Sequence, residues 1–388
     1  NIENLESFTF GELDDESGGL EIHGNVVFES NAALQSIDMS KVTDVDGDFH
    51  IAQGNDELTS LVTPSLASVG GSIDISDTKL TQVDMPALMS VGTALTATSR
   101  ALQQGHTTGH FRIDNSDELL ELNVPSLATV EGEVSVSGNG KLTKVDASSL
   151  ASVAHDMIIS DNLQLNELLL PAIAPEGHID GSLIFHGNPA MTSFNWQSLA
   201  GVAGNITFTA NNNLGVLSLS ALLTVGQFDD EDSYGSYFDY DDSSVVHVSD
   251  NAALTEINLS EIVSIFGDFN VVGNGGLNTI IAPDLSLITG DLVIMDSDIQ
   301  ELELQDLQLV GGDVSIMNNN DLMSISSSVA AVGDDVSIIQ NHALTHIHFN
   351  DLAAIGGDLR IVSNSVDFLV GNLALPSEYV VGGDILIP

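Results

Sequence analysis

A pair of apolar residues separated by one neighbour recurs about every 22 to 24 residues, and this recurrence constrains the fold more than any other feature of the chain. It starts at Val26/Phe28 and Phe49/Ile51, passes through Phe269/Val271 and Leu292/Ile294, and ends at Ile385/Ile387. Self-similarity at a fixed period marks a stack of one small unit that cannot bury its apolar face alone and relies on its neighbours to do so. Within a unit the pair alternates with polar residues, the period-two pattern of a short strand. A second strand follows as Leu-x-x-apolar-x-apolar, as in Leu254, Ile257 and Leu259, and Leu-x-x-Val closes the unit, as at Leu307 and Val310. No unit contains ten residues of helical periodicity, and β-branched residues dominate the inward positions. The chain is therefore expected to be all-β, a β-solenoid of about fifteen turns stacked about 4.8 Å apart.

About three residues after most pairs stands Asn or Asp: Asn31, Asn55, Asp77, Asn115, Asn139, Asn188, Asn251, Asn274, Asn319, Asn341 and Asn364. Such a column is expected to stack inside a corner, where side-chain amides satisfy turn groups that no strand reaches. The repeat sets the domain plan. Residues 1–24 read as a leading strand and acidic loop, and 25–388 as a single solenoid with insertions at 92–109 and 227–244.

The phrase L-x-x-V-G-G-D-h-x-I-x-x-N-x-x-L, present at 307–322 and with small departures at 352–368, resembles the receptor L domain. That family is a leucine-rich-repeat-like, right-handed β-helix found in insulin and epidermal growth factor receptor ectodomains. Related repeats occur in fungal cell-wall proteins and microbial surface proteins. The resemblance covers residues 24–388 and implies a right-handed β-solenoid in an extracellular or cell-surface setting.

Charge narrows the function classes. Fifty-six acidic residues face seven Lys and Arg, a formal net charge of -49, and residues 146–359 contain no Lys or Arg. Nucleic acid and anionic membrane surfaces are excluded as partners on that balance. No stretch reaches the roughly 20 apolar residues of a membrane span, and no basic segment followed by an apolar one opens the sequence, as a secretory leader would. Self-repulsion of this size opposes a compact state unless ions screen it, so a halophilic or calcium-rich environment is expected. The chain has no Cys, so neither disulfides nor thiol chemistry contribute.

Three features stand out as candidate sites. The insertion 227–244 combines Tyr234, Tyr237 and Tyr240 with clustered carboxylates. Of these Asp229, Asp230, Asp232, Asp239 and Asp241 offer the oxygen ligands calcium uses, although their spacing matches no EF-hand. The residue following each inward pair is polar through Ser249 and then becomes Val272, Met295, Met317, Ile339 and Val362, an outward apolar row of the kind that marks interaction sites. Ile385 and Ile387 fall in mid-turn, where an uncovered layer would pair with further chain or another molecule. An acidic column, Asp48, Asp268, Asp291, Asp313, Asp335, Asp358 and Asp384, follows the glycines and is expected to fan into solvent or take counterions. No catalytic constellation is evident, because carboxylates are too abundant to single out a pair and the histidines lack ligand spacing.

The sequence thus points to a non-catalytic extracellular repeat protein with a surface-structural or adhesive role, associating with itself or with another surface protein or glycan. The alternatives are a receptor-like module binding a peptide or glycan, and a polysaccharide-degrading β-helix enzyme. The charge balance generates a first prediction. Shrinking the screening length from about 30 Å to about 3 Å by raising salt from about 0.01 M to 1 M should raise the melting temperature substantially. A melt indifferent to both salt and calcium would show that self-repulsion is not what limits the fold.

Overall fold

The computed structural model describes residues 5–10, 19–92, 109–171, 177–226, 244–365, 373–376 and 379–387. Among them every regular element is a β-strand, strand pairing is parallel throughout, and the chain makes about 14 stacked coils. Two compact units are distinguished, residues 1–191 and 192–388.

Each coil has three faces. In the coil that starts at Gly267, the first face is Gly267–Val272, the second is Thr279–Ile281 and the third is Leu287–Ile288. The inward residues close a continuous apolar interior. Phe269, Val271, Leu277, Leu285 and Ile288 have no exposed surface, and Leu292, Ile294 and Ile265, the register partners of Phe269, Val271 and Ile288, are buried as well. Unit 1 is built the same way, and there the leading segment takes part: Ser7–Thr9 pairs with Ser36–Asp38, and Leu20–Ile22 pairs with Val42–Val45.

The corner between the first and second faces is held by buried asparagines. Asn274 is wholly buried. Its Nδ2 donates to the Val248 carbonyl at 2.8 Å, and its Oδ1 accepts the Asn251 backbone N–H at 3.1 Å, so one side chain clips two coils together. The same geometry repeats at Asn139, Asn162, Asn319 and Asn341. The expected column is corrected at two positions. Asp77 and Asn115 are not its members; Thr78 and Ser116 are, and Asn162 and Asn211 belong to it as well. Asp77 and Asn115 sit one residue earlier, with φ of 54° and 52°. That left-handed position turns the next side chain inward, and Asp, Asn and Gly occupy it most readily.

The corner between the third and first faces explains the Gly-Gly-Asp phrase. The Asp291 Oδ1 accepts the Asp313 N–H at 2.7 Å, and the acceptor lies over Gly312, where a Cβ would come within 2.0 Å of it. The first glycine is needed for a different approach: a Cβ on Gly356 would lie 1.8 Å from the Gly333 carbonyl oxygen.

Among the described residues two coils have a shortened first corner. Elsewhere the ladder residue is followed three positions later by an inward apolar residue whose N–H closes a turn, as Leu277 does onto Asn274 at 2.9 Å. In Thr78-Lys79-Leu80 and Ser297-Asp298-Ile299 one residue is missing. At both places the second-face ladder breaks, between Ser60–Val62 and Gln82–Asp84 and between Thr279–Ile281 and Glu301–Leu304. The other two faces keep their pairing across the second break, at Val271 with Ile294 and at Ile288 with Val310.

The buried ladder predicts the outcome of one substitution. Asn274→Leu removes the acceptor for Asn251 N–H and the donor to Val248, leaving buried backbone groups unsatisfied at a cost of about 1 to 3 kcal/mol. Chemical denaturation should report that loss, while a parent-like midpoint would remove the ladder from the account of stability.

Candidate functional site

Outward positions of the first face form columns, because parallel register repeats the same position in every coil. In unit 2, Val272 pairs with Met295, Met295 with Met317, Met317 with Ile339 and Ile339 with Val362, so the apolar row inferred from sequence is one continuous strip. Each member is half-buried, its flanks shielded by the coils above and below. The strip begins abruptly, since the partner of Val272 in the preceding coil is Ser249. Ile385 pairs with fully buried Leu359 yet is 52% exposed, Leu386 beside it is 56% exposed, and Ile387 is half-buried.

One edge of this face carries the acidic column. Asp268, Asp291, Asp313, Asp335 and Asp358 each use Oδ1 to accept the backbone N–H of the next member at 2.7 to 2.8 Å. A carboxylate that receives an N–H is stabilised in its charged form, and this offsets part of the repulsion that stacking like charges creates. The column is thus a structural ladder on one oxygen and a charged edge on the other. Arg360 bridges two of the outward oxygens, Oδ2 of Asp335 at 2.7 Å and Oδ2 of Asp358. The Asp358 N–H, and then Arg360, hold the Asp335 carboxyl below the usual carboxylate range.

The first face of unit 1 holds a polar groove of about 280 Å³ that the sequence reading missed. Val27, His50, Asp74 and Arg112 are one register column, and Glu29, Asp48, Ser72 and His110 flank it. His50 lies between two carboxylates, with Nε2 3.2 Å from Glu29 and Nδ1 3.6 Å from Asp74. The His110 Nδ1 accepts the Glu133 N–H at 3.0 Å, which places the ring proton on Nε2. Burial, and then the charge of Arg112, push the His110 pKa down. Next to the groove, burial raises the Asp114 carboxyl, although Ser135 Oγ and the Ser137 N–H both donate to it, at 2.8 and 3.0 Å. These residues lie 21 to 38 positions apart in sequence. The position between the inward residues, two places before the outward column that follows each pair, is the sequence signal that points to them.

The other expected sites are placed as follows. Asp229, Asp230, Asp232, Asp239 and Asp241, with Tyr234, Tyr237 and Tyr240, lie outside the described residues. Among the described residues no group of three or more His, Asp or Glu side chains is arranged to hold a metal ion.

No protein-family model matches the chain, and no curated protein matches it. Among solved structures it is similar to a leucine-rich repeat protein from Bacteroides ovatus ATCC 8483, at 11% identity over 89% of this chain and 88% of that one, with a TM-score of 0.44. A TLR13–ssRNA13 complex also aligns, at 12% identity over 89% of this chain and 74% of that one, with a TM-score of 0.13.

The Asp114 environment has a pH signature. Its folded pKa is raised, so its contribution to stability is complete below the ordinary carboxyl value of about 3.9 and is lost as pH rises through the folded value. Asp114→Asn keeps an oxygen that can accept from Ser135 and Ser137 but removes the charge. It should therefore melt higher than the parent at neutral pH, with the difference closing below about pH 4. A difference independent of pH would assign the effect to packing instead.

Proposed function

We propose that this chain is a non-catalytic repeat protein of the extracellular or cell surface that acts by association, joining copies of itself through the outer face of its first sheet. The in-register strip Val272, Met295, Met317, Ile339 and Val362 is the observation that carries this reading. A row of flexible, polarizable Met and branched side chains on a hydrogen-bonded sheet makes a contact surface whose backbone needs no rearrangement on binding. The acidic ladder at the other edge of the same face, beyond the column Asn270, Val293, Ser315, Ser337 and Arg360, and the wider charge of -49 restrict such contact to apolar or ion-screened surfaces. Surface location and self-association agree with the setting implied by the resemblance to receptor L-domain repeats.

The polar groove of unit 1 favours a second reading, a receptor-like module that captures a separate ligand. Light scattering and electron microscopy across salt and protein concentration distinguish the two. Oligomers or fibres that grow as salt screens the charge, and that disperse when Met317→Asp and Ile339→Asp are combined, are the expected outcome. A monodisperse monomer at high concentration and high salt would exclude assembly through the strip and put the receptor-like reading first.

A further inference from the structure

The break in the second-face ladder of unit 2 opens a groove of about 640 Å³, walled by residues 278–284 on one side and 300–306 on the other. Its origin is local. At the full-length corners on either side a backbone rung joins successive coils, as Asn278 N–H to Thr255 C=O at 3.0 Å and Met323 N–H to Gln300 C=O at 2.8 Å. No such rung joins Asn278 and Gln300 across the shortened Ser297-Asp298-Ile299 corner, and both residues are exposed to water.

We propose that this groove binds a linear, uncharged oligosaccharide. The lining supplies carboxamides from Asn278, Gln300 and Gln305, which both donate and accept, and the Thr279 hydroxyl. It also supplies acceptor-only carboxylates from Asp284, Glu301, Glu303 and Asp306. Sugar hydroxyls complement that mixture, donating to the carboxylates while accepting from the amides. Ile281 and Pro283 add apolar surface for the C–H faces of a sugar ring. The lining holds no Lys or Arg, which excludes phosphates, uronates and other anions. An inserted peptide strand is excluded by width. Some Cα pairs across the break lie within 8 Å, whereas a strand placed between two others needs them about 9.6 Å apart, twice the strand spacing. The extended part of the wall, Thr279–Ile281 at about 3.3 Å per residue, is roughly 10 Å long, which suits a short run of sugars.

The inference is independent of self-association, because the groove lies on the second face and the apolar strip on the first. The test is calorimetric titration, in about 0.5 M salt to suppress unspecific charge attraction, with four soluble hexasaccharides: a chitin type, a cellulose type, a glucosamine polycation and an oligogalacturonate. Each is titrated into the parent and into two variants. One inserts Gly between Asp298 and Ile299, restoring the full-length corner and closing the groove while leaving every lining residue in place. The other combines Glu301→Gln with Glu303→Gln. The proposal expects one-to-one binding of at least one neutral hexasaccharide, weakened tenfold or more in both variants and unchanged when Met317→Asp and Ile339→Asp are combined. Should the insertion fail to fold, the double Gln variant decides alone. Absence of neutral binding, binding of the polycation only, or neutral affinity unaffected by the variants would each overturn it.

Discussion

Parallel coils can pair their backbone groups only where the strands run straight, and at each corner an N–H or C=O turns away from any strand partner. In a solenoid those orphans stack directly above one another and lie partly inside the apolar core, where leaving them unpaired is costly. Asn274 and its column satisfy one corner from within, with the amide bridging to the carbonyl of the preceding coil and to its N–H. The Gly-Asp column satisfies another from outside, with a carboxylate in the accepting role. The repeat period follows from this requirement, since each coil must return the same polar side chain to the same place.

The acidic column consequently has two functions in one side chain. One oxygen is part of the hydrogen-bonded frame, and the other contributes to a charged edge on the face that carries the apolar strip of unit 2. Removing these carboxylates to reduce self-repulsion would break corner hydrogen bonds, which couples the protein's acidity to its architecture. Positions free of that constraint vary: the outward columns change from Ser249 to Val272 within one coil, and from His50 to Asp74 to Arg112 across three.

Small changes in the repeat have correspondingly local effects. Loss of one residue at Ser297-Asp298-Ile299 removes a turn and interrupts one ladder, while pairing persists on the other two faces. Three independent ladders per coil make this possible, because a defect in one leaves neighbouring coils joined through the others. A groove is thereby introduced into the sheet without loss of the interior, as Ile299 and Leu302 remain buried.

Strand positions, inward residues and the absence of helix among the described residues were legible in the sequence because alternation and a fixed period are one-dimensional signals that burial imposes directly. The apolar strip was legible for the same reason: Val272, Met295, Met317, Ile339 and Val362 repeat with the coil. The corner column was read one residue early at Asp77 and Asn115, because an Asn or Asp in the left-handed position looks the same in sequence as one that points inward. The polar groove of unit 1 and the ladder break of unit 2 were decided by tertiary structure alone. Which outward groups converge, and whether a shortened corner breaks a rung, depend on register between coils 21 to 38 residues apart. Burial then shifts the His110 pKa down and the Asp114 pKa up, and burial is a property of the stacked coils rather than of any one segment.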